Sequence, residues 1–152
     1  MAKTKNFAYA GFWRRFVALV IDIIIYNILV GFVAIIFVAV FGGMGAATGQ
    51  EDAFGGTGVV LFVMLIITGP YIWFAAFESS SWQATPGKRA LSLKVTSEEG
   101  NRISFLNAFG RNIGKIVSGM IFMIGYMMAG WTRRKQALHD LMAGCLVIRR
   151  ID

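Results

Sequence analysis

Long apolar runs, broken by a few isolated polar residues, dominate the order of the chain. The first runs from Phe16 to Phe41, twenty-six residues interrupted only by Asp22 and Asn27. A membrane-crossing helix needs about 20 mostly apolar residues at about 1.5 Å rise each, so this run is long enough to span. Lys3, Lys5, Arg14 and Arg15 precede it as they would precede a signal peptide. Signal h-regions, however, are only about 7–15 residues long, and this run also carries an aspartate. The second run, Val59 to Phe77, holds Thr68, Gly69 and Pro70 in its middle. A proline there frees a backbone carbonyl that Thr68 or a neighbouring helix can satisfy, which predicts a kink near 66–70. Trp73, Glu78 and Trp82 read as interfacial residues. Between the runs, Gly42 to Gly58 reads as a glycine-rich linker with Glu51 and Asp52 but no Lys or Arg.

The third apolar stretch, Ile116 to Trp131, is preceded by 105–115, which carries Arg111 and Lys115. Gly110, Gly114 and Ser118 recur every four residues, a small-residue face suited to close helix packing. The segment before it alternates: Leu91, Leu93 and Val95 against Ser92, Lys94 and Thr96, the period of a half-buried strand. Glu98 to Asn101 supplies a turn, and Arg102 to Ser104 begins a return strand, with Ser104 placed to cap the following helix. Residues 136–148 read as an amphipathic tail. The predicted fold is an all-α membrane protein in a single domain over 1–152. It has transmembrane helices at about 16–41 and 59–77, a cytoplasmic loop over 78–104 with a small β-hairpin, and a third helical region over 105–131. That third region is either a full span or a re-entrant hairpin bending at Ser118–Gly119.

Composition supports the membrane class. Hydrophobic residues make up 57% and charged residues 15% of the 152, where soluble domains carry about 25% charged. One cysteine excludes a disulfide scaffold. The net charge of +7 would suggest nucleic acid in a soluble protein. Placed along the chain, the basic residues instead gather at the amino end, in the 78–112 loop and in the tail, leaving the first loop bare. The positive-inside rule then puts the amino terminus and second loop in the cytoplasm, with no nucleic-acid partner required. The tail carries Arg133, Arg134, Lys135, Arg149 and Arg150. The same rule favours a cytoplasmic carboxyl end, which a re-entrant third region or a returning 138–148 segment would allow.

Candidate chemistry is sparse. Asp22 lies about two turns into the first helix, where an ionised carboxylate is costly unless paired or wetted. Arg15 stands seven residues earlier, nearly on the same face. Arg111 and Lys115, four apart, are the better-placed partners from another helix, and Asp140 sits beside His139 in the tail. These residues form either a site that handles a cation or proton or an Arg–Asp clamp that fixes packing. Asn27, Tyr26 and Thr68 are expected to make interhelical hydrogen bonds. Pro86-Gly87-Lys88-Arg89 resembles the end of a phosphate loop, but Trp82 and Arg89 occupy positions a Walker motif reserves for Gly and for Ser or Thr. One His and one Cys cannot build an ordinary zinc site, and Cys145 reads as a small core residue. Met120, Met123, Met127 and Met128 read as helix packing. No catalytic residues, metal or cofactor are expected.

Arg15 to Asp22 (RFVALVID), Thr85 to Val95 (TPGKRALSLKV), Arg111-Asn112 and Gln136 to Gly144 (QALHDLMAG) together resemble the RDD family of membrane proteins. The family's arginine and two aspartates fall on Arg15, Asp22 and Asp140. Ser92 departs from the glycine the resemblance leads one to expect, a mild change if the position lies in a strand. The resemblance implies residence in a bacterial or archaeal inner membrane and a role in transport, cation–proton exchange included. About 150 residues enclose a pathway poorly, so the lipid bilayer and either a second copy or a partner membrane protein are the expected associates. The alternative is a non-catalytic accessory or scaffold subunit of a larger membrane complex.

Overall fold

The computed structural model describes residues 7–49, 51–121 and 124–150; the side chains of 51–54 and 150 are outside the description. Lys3, Lys5 and Met123, and the side chains of Glu51, Asp52 and Arg150, therefore lie outside the described residues. In chain order the elements are β1 (Phe7–Tyr9), α1 (Phe12–Thr48), α2 (Glu51–Ser79), α3 (Pro86–Ala90), β2 (Leu93–Ser97), α4 (Phe105–Met120), α5 (Ile124–Trp131), α6 (Leu138–Met142) and β3 (Cys145–Arg150). The chain divides into two compact units, 1–22 with 71–152, and 23–70; α1 and α2 run through both.

The 23–70 unit is a helical hairpin. Both expected spans are present, and each is longer than the apolar run alone. At about 1.5 Å per residue, the 37 residues of α1 extend about 55 Å, beyond the ~30 Å hydrocarbon core. Residues 42–58, expected as a linker, are almost entirely helical, with Gly49 at φ +68° in the turn. In an apolar surrounding a helix satisfies its backbone groups internally, so even a glycine-rich stretch gains by staying helical. Gly58 lets Phe37 approach to 3.2 Å of where a Cβ would stand, and Phe37 stacks on Phe41 and Phe62. Asn27 and Thr68 do not bridge helices as expected. Asn27 donates to the Ile23 carbonyl at 2.8 Å and Thr68 to the Met64 carbonyl at 2.7 Å, each one turn back on its own helix. Helix α2 continues through Pro70. Ile28, Phe32, Ile35 and Val38 are exposed, as lipid-facing side chains are.

The other unit is built on a three-stranded antiparallel sheet of order β1-β3-β2. The strand expected around Leu93 forms, but its partner is β3, with Val95 opposite Val147, and not the Arg102–Ser104 segment. The turn does form, with the Gly100 amide on the Ser97 carbonyl at 3.0 Å and Gly100 at φ +84°. The chain then enters α4, where Ser104 accepts from the Asn107 amide at 3.2 Å as the expected cap. The supposed amphipathic tail is therefore two elements, α6 and β3. From Cys145 onward it is a strand, in which Cys145 and Val147 join Leu93 and Val95 in one buried cluster with Ala10, Ala18, Ala75 and Ala108. Strand β1 had no alternation long enough to read; it pairs with β3 from Phe7↔Arg150 to Tyr9↔Ile148. Ser92 is not a strand residue. It sits at φ +56° just before β2, a left-handed conformation costing an L-residue about 1 kcal/mol, which gives a physical reason for glycine there.

Among the described residues, two helices are long and apolar enough to cross a membrane, and a bent pair, Phe105–Met120 with Ile124–Gly130, makes up to three. That pair turns by 116° beyond Met120, a few residues after the expected Ser118–Gly119 bend. Ser118 and Gly125 let its arms close together: a Cβ at Gly125 would stand 2.8 Å from the Ser118 Cα. Gly114 faces His139, its Cβ position 3.3 Å from the His139 Cβ. Gly110, expected on the same packing face, is exposed with nothing within 4 Å of where a Cβ would stand.

Candidate functional site

Within the sheet-bearing unit, charged groups from five segments converge. Asp140, on the first turn of α6, is fully buried and receives Arg15 from α1 and Arg111 from α4, the latter with N–O distances of 2.7 and 2.6 Å. Its other hydrogen bond closes its own helix: the Ala137 amide donates to Asp140 Oδ2 at 3.1 Å. Arg15 also donates to the carbonyls of Ala10 and Lys135. Burial alone would raise the Asp140 pKa; the guanidiniums of Arg111 and Arg15 outweigh it and hold the carboxyl well below the usual carboxylate range.

The second hub is Glu78. The sequence placed it at the membrane interface, yet it is fully buried at the end of α2. Arg111 donates to Glu78 Oε2 at 2.8 Å, Lys88 to Oε1, and Lys115 stands 3.8 Å away. Arg111 thus bridges both carboxylates. Glu78 was detectable in principle: four basic side chains gathered in a protein interior demand anions, and the chain has only eight acids.

Asp22, also buried, meets neither Arg111 nor Lys115, the partners expected for it. Its carboxylate accepts from the Thr85 hydroxyl and, at 2.7 Å, from the Gly87 amide. The local sequence makes this possible. Thr85 caps the short helix α3 with Pro86 pre-set in its first turn, which leaves the Gly87 amide free to point outward. Thr-Pro-Gly-Lys thus spends its first-turn amide on a protein carboxylate. Lys88 in the same turn points to Glu78, and burial lowers its pKa against the opposing pull of Glu78.

His139 lies beside Asp140 with Nδ1 3.2 Å from the Ser118 hydroxyl and its ring 5.1 Å from that of Tyr126. Burial and the positive charge of Arg111, with smaller contributions from Lys115 and Arg15, push its pKa down to about 2 against the pull of Asp140. Below its ordinary value near 6.5 the unfolded chain takes up a proton that the folded chain refuses, so the stability contributed by the neutral imidazole is complete above about pH 6.5 and is lost as pH drops beneath it. This is the chain's single histidine. As pH falls from 7 toward 5 the detergent-solubilised protein is expected to lose stability through this group, at up to ~1.4 kcal/mol per pH unit. In His139→Gln that slope should flatten; equal Tm at pH 7.5 and 5 for the wild type would refute a buried neutral imidazole.

Cys145 is buried in the apolar cluster, and burial raises its thiol to about 11. No group of three or more His, Cys, Asp or Glu arranged to hold a metal occurs among the described residues. Arg15, Lys88, Arg111, Lys115, Asp22 and His139 border one cavity of about 540 Å³, whose remaining wall includes Phe12, Phe16, Leu19 and Phe74. Lys115 stands 4.4 Å from the Phe74 ring centroid and donates to the Asn112 side chain.

The RDD family model matches residues 9–144. The chain is also 32% identical over 146 residues to the uncharacterized protein YxaI of Bacillus subtilis (strain 168), covering 91% of this chain and 96% of that one. No solved structure matches.

Proposed function

The chain belongs to the RDD family, and we propose that this membrane protein is a non-enzymatic accessory subunit assisting a larger membrane assembly, with transport as the process assisted. One observation carries the reading: both hub carboxylates, Asp140 and Glu78, are saturated by basic groups from other segments. A carrier that exchanges protons for cations needs a carboxylate able to release its partner and titrate near neutral pH. Asp140 is held far from that, and four basic side chains surrounding three acids repel an entering cation. The arrangement suits a clamp that ties α1, α2, α4 and α6 to a rigid base. In this reading both termini lie on the cytoplasmic side of a bacterial or archaeal inner membrane, a topology that the positive-inside rule supports. The partner is a second membrane protein or another copy of the chain.

A second reading, direct transport, rests on Asp22, which borders the cavity and binds neutral donors only. Proteoliposomes with an imposed sodium or proton gradient separate the two. The accessory reading expects no flux from the protein alone, co-purification of a membrane partner after mild solubilisation, and lowered abundance of Asp140→Asn and Asp22→Asn. Flux that disappears in Asp22→Asn at normal abundance would overturn it in favour of transport.

A further inference from the structure

The cavity and an adjoining groove share a chemistry that the clamp does not use. Around the cavity stand four basic side chains, Arg15, Lys88, Arg111 and Lys115; the acids among and behind them are three, Asp22, Glu78 and Asp140. One positive charge is left over in a place where an uncompensated ion is costly. The excess falls on Lys115. Its 3.8 Å approach to Glu78 is the longest pairing in the network, and both Glu78 oxygens already accept closer bonds from Lys88 and Arg111. Its side chain is 18% exposed, against 2% for Arg111. The walls beside it are aromatic and aliphatic.

The way in is equally specific. A groove of about 500 Å³ runs between Trp13 and Trp131, with Arg14 and Lys135 along it, and it shares Phe12 and Met127 with the cavity. Trp13 is 74% exposed and Trp131 63%. Paired exposed indoles beside basic residues are what a protein presents at the headgroup level of a bilayer.

We propose that the cavity is a binding site for an anionic membrane lipid, whose phosphate-bearing head sits at Lys115 while its acyl chain leaves past Phe12 and Met127 into the Trp13–Trp131 groove. A bare inorganic anion would match the charge but leave the apolar wall and groove empty. A zwitterionic lipid would match the apolar part but bring its own cation toward four basic groups. The lipid adds the missing negative charge, so bound protein is more stable than lipid-free protein by mass action. This site stands independently of the accessory reading, since either a subunit or a carrier can hold a lipid.

The test uses the full chain, purified in neutral detergent and titrated with phosphatidylglycerol, phosphatidylcholine of the same acyl chains, or glycerol phosphate. Native mass spectrometry reads retained lipid and thermal unfolding reads Tm. Phosphatidylglycerol is expected to be retained at least tenfold better than phosphatidylcholine and to raise Tm by several degrees, while glycerol phosphate neither raises Tm nor displaces it. Lys115→Met, which keeps most of the unbranched apolar stem but not the charge, should lose that preference. Should Lys115→Met fail to fold, Met127→Glu places a carboxylate at an exposed position on the entry path and is expected to cut retention of phosphatidylglycerol tenfold. Equal retention of the two lipids, stabilisation by glycerol phosphate alone, unchanged preference in Lys115→Met, or undiminished phosphatidylglycerol retention in Met127→Glu would each overturn the proposal.

Discussion

Arg111→Met is expected to be the most damaging single charge removal in this protein. The guanidinium spans the two hubs, bonding Glu78 at 2.8 Å and Asp140 at 2.6 Å, and it is itself 2% exposed. Its loss leaves two carboxylates without a principal partner in the protein interior, where removing one member of a buried pair costs ~3–5 kcal/mol. Lysine is a poor substitute, because a compact ammonium cannot bond both carboxylates as a planar guanidinium does. The expected result is little or no folded protein from Arg111→Met and a strongly lowered Tm in Arg111→Lys. Coupling gives a sharper check. In the background of Asp140→Asn one of the two carboxylates no longer needs neutralising, so Arg111→Lys, which still folds, should cost less by ~0.5–3 kcal/mol than in the wild type. Strict additivity of the two changes, read from denaturation in one detergent, would show that the pair does not act as a unit.

Gly87→Ala is expected to do comparable harm by sterics alone. A Cβ at Gly87 would collide with the Ala18 backbone carbonyl of α1 and stand 2.9 Å from the Asp22 Cγ and Oδ1. The carbonyl belongs to a helix and cannot swing aside. Either α3 moves off α1, breaking the Gly87 amide bond to Asp22, or α1 distorts. Overpacking of a tight core costs ~1–3 kcal/mol, and a buried carboxylate stripped of one donor costs ~1–3 kcal/mol more. Thr85→Val, which deletes the other donor without the clash, should cost less than Gly87→Ala. Gly110→Ala is the matching control, since its Cβ would meet nothing, and Tm should stay within a degree or two of wild type. A Gly87→Ala protein as stable as Gly110→Ala would mean that α3 does not seat on α1 as described.

The membrane class and the two long helices were legible because their cause is local. Twenty or more apolar residues in a row have one stable answer in a bilayer, whatever the rest of the chain does. Ser104 as a cap was equally local: its side chain meets an amide three residues on. Arg15, Asp22, Asp140, Arg111 and Lys115 were also recognisable, because a charged residue beside an apolar run is conspicuous. Their pairing was not. Sequence spacing directed Arg111 and Lys115 toward Asp22, whereas Arg111 joins Asp140 and Glu78, and Asp22 turns to Thr85 and Gly87. The glycine-rich stretch misled in the other direction, reading as a long linker where α1 runs on to Thr48 and α2 begins at Glu51.

What the sequence determines, then, is the set of things one helix or one turn decides alone: which segments are apolar enough to span, where a cap falls, and which charges must find partners. Tertiary structure decides who those partners are. β3 takes β1 from near the amino end and β2 from the middle of the chain, and that closure carries α6, with Asp140, to Arg15 and Arg111. Glu78 shows the difference most plainly. A glutamate ending an apolar helix can face headgroups or be buried, and its own sequence neighbourhood is the same in both cases. Three basic residues arriving from α3 and α4 settle the matter, because only their combined charge repays the loss of water around a buried carboxylate.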